Sequence, residues 1–134
     1  MKNIFAICLI CVSVVSMAQS RFSDCSVLLL NEQVLVENYS PNATCNVSKA
    51  AKGWLTAGTI TLGENSMKPN ANGKFEFGVA IKDMETGTLH LFSFEKYKKV
   101  KIEEVLRQCK AGDSIVILTT NSKFALPHNE IKVY

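Results

Sequence analysis

Histidine is nearly missing from this chain, and with it the residue most often recruited as metal ligand and general base. There are two, His90 and His128. Neither belongs to an H-x-x-x-H or cysteine-rich pattern with metal-ligand spacing, so no zinc site is expected. The sequence also lacks a G-x-S-x-G, a phosphate-cradling glycine loop and a G-x-G-x-x-G. Glu103 and Glu104 are sequence neighbours that diverge on a helix, which makes them a poor acid/base pair. No catalytic, cofactor-binding or metal-ligating residue is expected, and the chain reads as a non-enzyme. Charge of one sign is scarce too. The formal net charge is +3 over 134 residues, too little for the clustered basic footprint of a nucleic-acid binder. The apolar run from Ile4 to Val15 falls short of the roughly 20 residues of a membrane-spanning helix.

That run is the middle of an export signal. Lys2 supplies the basic start, and small residues at Ser16 and Ala18 form an A-x-A-like cleavage site before Gln19. Residues 1–18 are therefore expected to be removed, taking Cys8 and Cys11 with them. Cys11 follows Leu9-Ile10 rather than small residues, so a lipid-anchor site is not expected there. Residues 19–134 have the usual size of one domain with one core.

Three cysteines remain, an odd number for a chain meeting an oxidising compartment. Cys25 and Cys45 flank the same N-terminal hairpin and are the expected disulfide. Closing a loop of roughly 20 residues adds about 3 kcal/mol when the geometry is unstrained. Cys109 is then left as a buried thiol packing like a small hydrophobe, or as a reactive thiol if a histidine reaches it in space. The hairpin itself is read from Ser26–Leu30 and Val34–Tyr39, separated by the polar break Asn31-Glu32-Gln33. A turn-rich stretch follows, with Asn-x-Ser/Thr sequons at Asn38, Asn42 and Asn46. These are glycan acceptors in a eukaryotic secretory host and a polar turn in a bacterium.

Ser48–Lys52 is expected to form one helical turn. Trp54–Leu62 reads as a strand, with Trp54 as core anchor or as a stacking platform for a sugar. Gly63–Gly73, rich in Gly, Asn, Ser and Pro, is expected to be the longest loop and a place to build a binding surface.

The centre of the fold is expected in the next hairpin. Phe75, Phe77, Val79 and Ile81 alternate with Glu76, Gly78, Ala80 and Lys82, placing four large apolar side chains on one face. Burying each is worth roughly 1.5–3 kcal/mol before ordering entropy is subtracted. Asp83–Gly87 is the turn. The return strand Thr88–Phe94 carries Leu89 and Leu91 on one face and Phe92 and Phe94 on the other, the pattern of a central strand. Within it, His90 reads as a tolerated strand position. Lys96, Lys98, Lys99 and Lys101 form a solvated edge or a meeting place for an anionic partner. Ile102, Val105, Leu106 and Cys109 share one helix face, closed by Gly112. Asp113 is expected to shape the turn into the strand Ser114–Thr119. Phe124–Leu126 and Ile131–Tyr134 then close the sheet around Pro127.

The stretch Leu106-Arg107-Gln108-Cys109-Lys110-Ala111-Gly112-Asp113-Ser114-Ile115-Val116-Ile117, followed by Leu126-Pro127 and Ile131-Lys132-Val133, resembles the last β-sandwich domain of the GldM/PorM family. In those periplasmic proteins of the type IX secretion and gliding apparatus of Bacteroidetes, a K-x-G-D turn leads into an apolar strand and a Leu-Pro step into the closing strand. The Gly73–Phe94 hairpin is similar in kind. The resemblance implies a β-sandwich, a Bacteroidetes envelope setting and a protein–protein role, with no catalytic residue. A cleavable signal in place of a retained transmembrane helix, and a single domain in place of several, leave the shaft role of that family outside what the resemblance implies.

The expectation is therefore an all-β, mainly antiparallel, β-sandwich-like single domain over residues 19–134, with one short helix near 102–110. It is exported to the periplasm, the outer membrane or the medium, with no membrane span after signal cleavage, no cofactor and no nucleic-acid partner. Its expected role is protein binding in a bacterial envelope or secretion-associated assembly. The alternative is a small extracellular glycoprotein or ligand-binding domain.

Overall fold

Apolar residues at alternate positions pair into two sheets in the computed structural model, which describes residues 24–63 and 67–134. The expected signal at 1–18, with Cys8 and Cys11, lies outside the described residues. The strands are β1 (Asp24–Leu30), β2 (Gln33–Val34), β3 (Cys45–Val47), β4 (Trp54–Leu62), β5 (Met67–Phe75), β6 (Phe77–Lys82), β7 (Leu89–Leu91), β8 (Val100–Lys101), β9 (Ser114–Thr119), β10 (Phe124–Ala125) and β11 (Glu130–Val133). One short helix, α1 (Ile102–Leu106), stands between β8 and β9. The first sheet runs β10-β1-β4-β5, with β2 also on β1 and β8 also on β4; the second runs β3-β11-β9-β6-β7. Pairing is antiparallel except for β1–β10 and β3–β11. The chain is all-β and sandwich-like, as its alternation predicts, and among the described residues no helix is long and apolar enough to cross a membrane.

The β1–β2 hairpin turns on Asn31 and Glu32, both at positive φ (52° and 67°). Two such residues make the tight turn whose twist matches the flanking strands, and asparagine tolerates it best after glycine. Asn31 then does a second job. Its Oδ1 accepts the Trp54 N–H at 3.0 Å and its Nδ2 donates to the Lys52 carbonyl at 3.0 Å. Gly53 sits at φ +126°, where a Cβ would collide with the Asn31 carboxamide, so only glycine lets the hairpin tip brace the start of β4.

The core draws on both sheets and on α1. Phe77, Val79 and Ile81 from β6, Ile115 and Ile117 from β9, and Leu28, Leu55 and Ala57 from β1 and β4 are fully buried in one cluster. Ile102, Val105, Leu106 and Cys109 are buried together, as their helical spacing predicts, although the helix ends at Leu106 and Cys109 follows it in a turn. Gly112, at φ +97°, then permits the reversal into β9. Asp113 shapes that reversal, its Oδ2 accepting the Lys110 N–H at 2.8 Å while its Oδ1 accepts the Met84 N–H at 3.1 Å.

Several expectations are corrected. The Gly63–Gly73 loop is mostly strand: Met67–Phe75 is β5, paired to β4 from Ala57↔Phe75 to Leu62↔Met67, while residues 64–66 lie outside the described ones. It shows no apolar alternation because it is an edge strand facing solvent, held by its backbone ladder. Phe75 belongs to this strand and to the first sheet, and the chain changes sheets at Glu76, so the apolar face of β6 is Phe77, Val79 and Ile81. The Thr88–Phe94 run is not a central strand. Its ordered part, β7, lies at a sheet edge with every residue exposed. Ser48–Lys52 forms a turn, and the Asn-rich loop hides β3, which gains order by pairing in parallel with β11. Phe124–Ala125 and β11 sit in different sheets.

The expected Cys25–Cys45 disulfide is not formed. Among the described residues Cys25, Cys45 and Cys109 are all free thiols. Cys25 lies on β1 of the first sheet beside the Tyr39 hydroxyl, whereas Cys45 lies on β3 of the second, its Sγ turned to the His128 carbonyl at 3.7 Å. The two ends of the hairpin segment thus enter different sheets, and shared flanking in sequence does not bring the sulfurs together.

Candidate functional site

Two surface features stand out, one on each sheet. The first is the β7 edge. Among the described residues β7 pairs with β6 on one side only, through Lys82↔Leu89, Ile81↔His90 and Ala80↔Leu91. This register puts Leu89 and Leu91 on the outer face, 50% and 47% exposed. Beyond β7 the chain keeps to β6: the Phe92 N–H donates to the Val79 carbonyl at 3.0 Å, and Tyr97 and Phe77 exchange hydrogen bonds at 3.0 and 2.8 Å. Ser93–Lys96 therefore have only Gly78 opposite them and must bulge outward. Phe94 rides on this bulge, 92% exposed, while Phe92 and Tyr97 pack their rings inward. An apolar edge with a protruding phenylalanine is what soluble proteins normally avoid unless something covers it. Lys96, Lys98, Lys99 and Lys101 follow directly, all exposed.

The second feature is a cleft of about 410 Å³ on the first sheet. It arises from a change of neighbour along β4. Up to Leu55 that strand is flanked by β8 (Leu55↔Val100), and from Ala57 by β5 (Ala57↔Phe75). Thr56 falls between the two. Trp54, expected as a core anchor, is 41% exposed and forms an aromatic wall, with Phe75 nearby. The Lys99 and Lys101 ammonium groups stand 4.4 and 5.6 Å from its ring centroid, a cation–π arrangement. Lys98, Lys99 and Glu76 also border the cleft, and Lys74 is paired with Glu32 across it. Thr56 is only 4% exposed, and its Oγ1 has no hydrogen-bond partner among the described residues.

The residues first suspected of chemistry are held in structural roles. Burial pushes the Cys45 thiol up to about 11. Burial, with Asp113 adding to it and Lys49 opposing, does the same for Cys109, also to about 11. Both therefore stay protonated at neutral pH, and the thiolate, which is the nucleophile, is disfavoured. Burial and then the neighbouring Cys25 raise the Tyr39 phenol to about 12. His128 is buried edge-on against Tyr39, its Nε2 2.7 Å from the Ser40 carbonyl, so it pins the 40s loop to the approach to β11. His90 is exposed on β7. Glu103 accepts the Gly53 N–H at 3.1 Å, and its carboxyl is held low by its own backbone N–H and by that of Gly53. Among the described residues no group of three or more His, Cys, Asp or Glu is placed to hold a metal ion.

Asn38, Asn42 and Asn46 are all exposed and line one polar concavity of about 520 Å³. The lysine run was visible in the sequence. The exposure of Phe94 and the position of Thr56 were not, because both depend on which strand ends where. No protein-family model, no curated protein and no solved structure matches this chain.

Proposed function

We propose that this chain is an exported, non-catalytic β-sandwich module that binds a protein partner in a bacterial envelope or secretion-associated assembly, and that β7 is the face it uses. The observation that carries this reading is the open β7 edge, with Leu89, Leu91 and the bulged Phe94 exposed beside it. An incoming extended segment adds main-chain hydrogen bonds to the free edge and buries alternate side chains on the apolar outer face. Exposed Lys96, Lys98 and Lys99 next to the bulge favour a partner segment that is acidic as well as apolar. The test is crosslinking capture of the tagged chain from its own organism's envelope, compared with Leu91→Lys and Phe94→Ser. A defined set of envelope proteins that disappears with either substitution is the expected result. The same set recovered with both variants, or nothing above background, overturns the reading.

The exposed cluster Asn38, Asn42 and Asn46 favours a second reading, a small extracellular glycoprotein. An intact mass of the native secreted chain equal to its unmodified sequence removes it.

A further inference from the structure

We propose that the cleft at Thr56 is a binding site for an acidic sugar residue, a pyranose carrying a carboxylate. Four features converge there. The exposed indole of Trp54, with Phe75 nearby, offers a flat apolar surface for the C–H face of a sugar ring. Lys98 and Lys99 border the same opening; the Lys99 ammonium, over the indole at 4.4 Å, leaves that face when a sugar ring stacks there and stays within reach of the ring's carboxylate. Glu76 supplies an acceptor for sugar hydroxyls. Thr56 supplies a hydroxyl that no protein group among the described residues engages.

The volume, about 410 Å³, lies within the range of small-ligand sites. Glu32 is paired with Lys74, which leaves Lys98 and Lys99 against Glu76 at the opening. That balance is one net positive charge: a single carboxylate matches it, a doubly charged phosphate exceeds it, and a neutral sugar leaves it unmet. The site is lined from β4, β5, the β1–β2 turn and the segment before β8; the β7 reading rests on Leu89, Leu91 and Phe94 and shares only Lys98 and Lys99 with it, so failure of the site leaves that reading standing.

Trp54 is the chain's single tryptophan, so its emission reports the cleft directly. The experiment is a fluorescence titration of the full exported chain with a glucuronate disaccharide and with its neutral glucose counterpart. A saturable change with the glucuronate probe is expected, weaker by about tenfold or more with the neutral probe and in Lys99→Gln, a surface change that leaves folding intact. Thr56→Val is expected to weaken binding while raising the melting temperature, a combination that a purely structural threonine does not give. The proposal is overturned by no saturable change up to about 10 mM probe, by equal binding of both sugars, or by a Thr56→Val chain that binds like the wild type.

Discussion

Replacing Thr56 by Val should stabilise this protein, against the usual direction of core substitutions. Valine has the same shape and is at least as well suited to a strand, so packing around the site is conserved. What changes is a hydroxyl that is buried without a partner among the described residues. Leaving such a group unsatisfied costs about 1–3 kcal/mol, and the methyl that replaces it adds apolar burial worth about 0.8 kcal/mol. Allowing for partial relaxation, the expected gain is about 1–2 kcal/mol, or a melting temperature about 4–8 °C higher for a domain of this size. The control lies on the same strand. Thr59 is also buried, but its Oγ1 accepts a hydrogen bond from Asn70 Nδ2 at 3.1 Å, so Thr59→Val should destabilise by about 1 kcal/mol. Urea unfolding followed by circular dichroism, with m held constant, gives both values. Opposite signs support the reasoning. A loss of stability in Thr56→Val would mean that its hydroxyl is satisfied and the account of the cleft floor is wrong.

Gly53→Ala should cost about 2 kcal/mol in the same assay, because the left-handed backbone and the Asn31 carboxamide both reject a side chain; an unchanged midpoint would refute the brace between hairpin tip and β4. In a chain beginning at Gln19, Ellman's reagent at pH 7.5 should leave Cys45 and Cys109 unmodified until denaturant is added, with half-buried Cys25 the first to react. Rapid modification of all three would contradict the buried thiols. Asp83 has its carboxyl held low by the Thr86 and Glu85 N–H groups, so the folded state binds its proton more weakly than the unfolded chain. Its stabilisation is therefore present above the ordinary carboxylate value and lost as pH falls through the lowered one. Asp83→Asn should flatten the melting-temperature profile over that acid window and leave the slope near neutrality alone; an unchanged acid slope would count against the turn.

The strands that bury a face were legible from alternation alone. β9 matches its expected span residue for residue, because Ile115 and Ile117 must face the core while Ser114 and Val116, buried and half-buried, point to the opposite face of the sheet. The same logic failed for β5 and β3, whose order comes from backbone pairing and leaves no apolar period in MKPNANGKF or CNV. It failed in the opposite sense for Thr88–Phe94, where apolar residues lie at an edge and remain exposed. Trp54 was read as core from its type, whereas its place beside a gap in the sheet is decided by where β8 stops and β5 begins. The lysine run was legible as a charge cluster, but its stacking on Trp54 was not, since the two stretches meet only through the β4–β8 pairing.

The two parallel pairings also bear on time. Asp24 meets Phe124, and Cys45 meets Ile131, so the start of β1 and the pairing of β3 wait for strands made much later in synthesis. Contacts this distant in sequence are slow to form, because the intervening chain must be gathered first. An emerging chain therefore leaves both sheets incomplete until residues 124–133 arrive, and then completes them in a late step. During that interval the edges of β1 and β3 that residues 124–133 come to cover stay open.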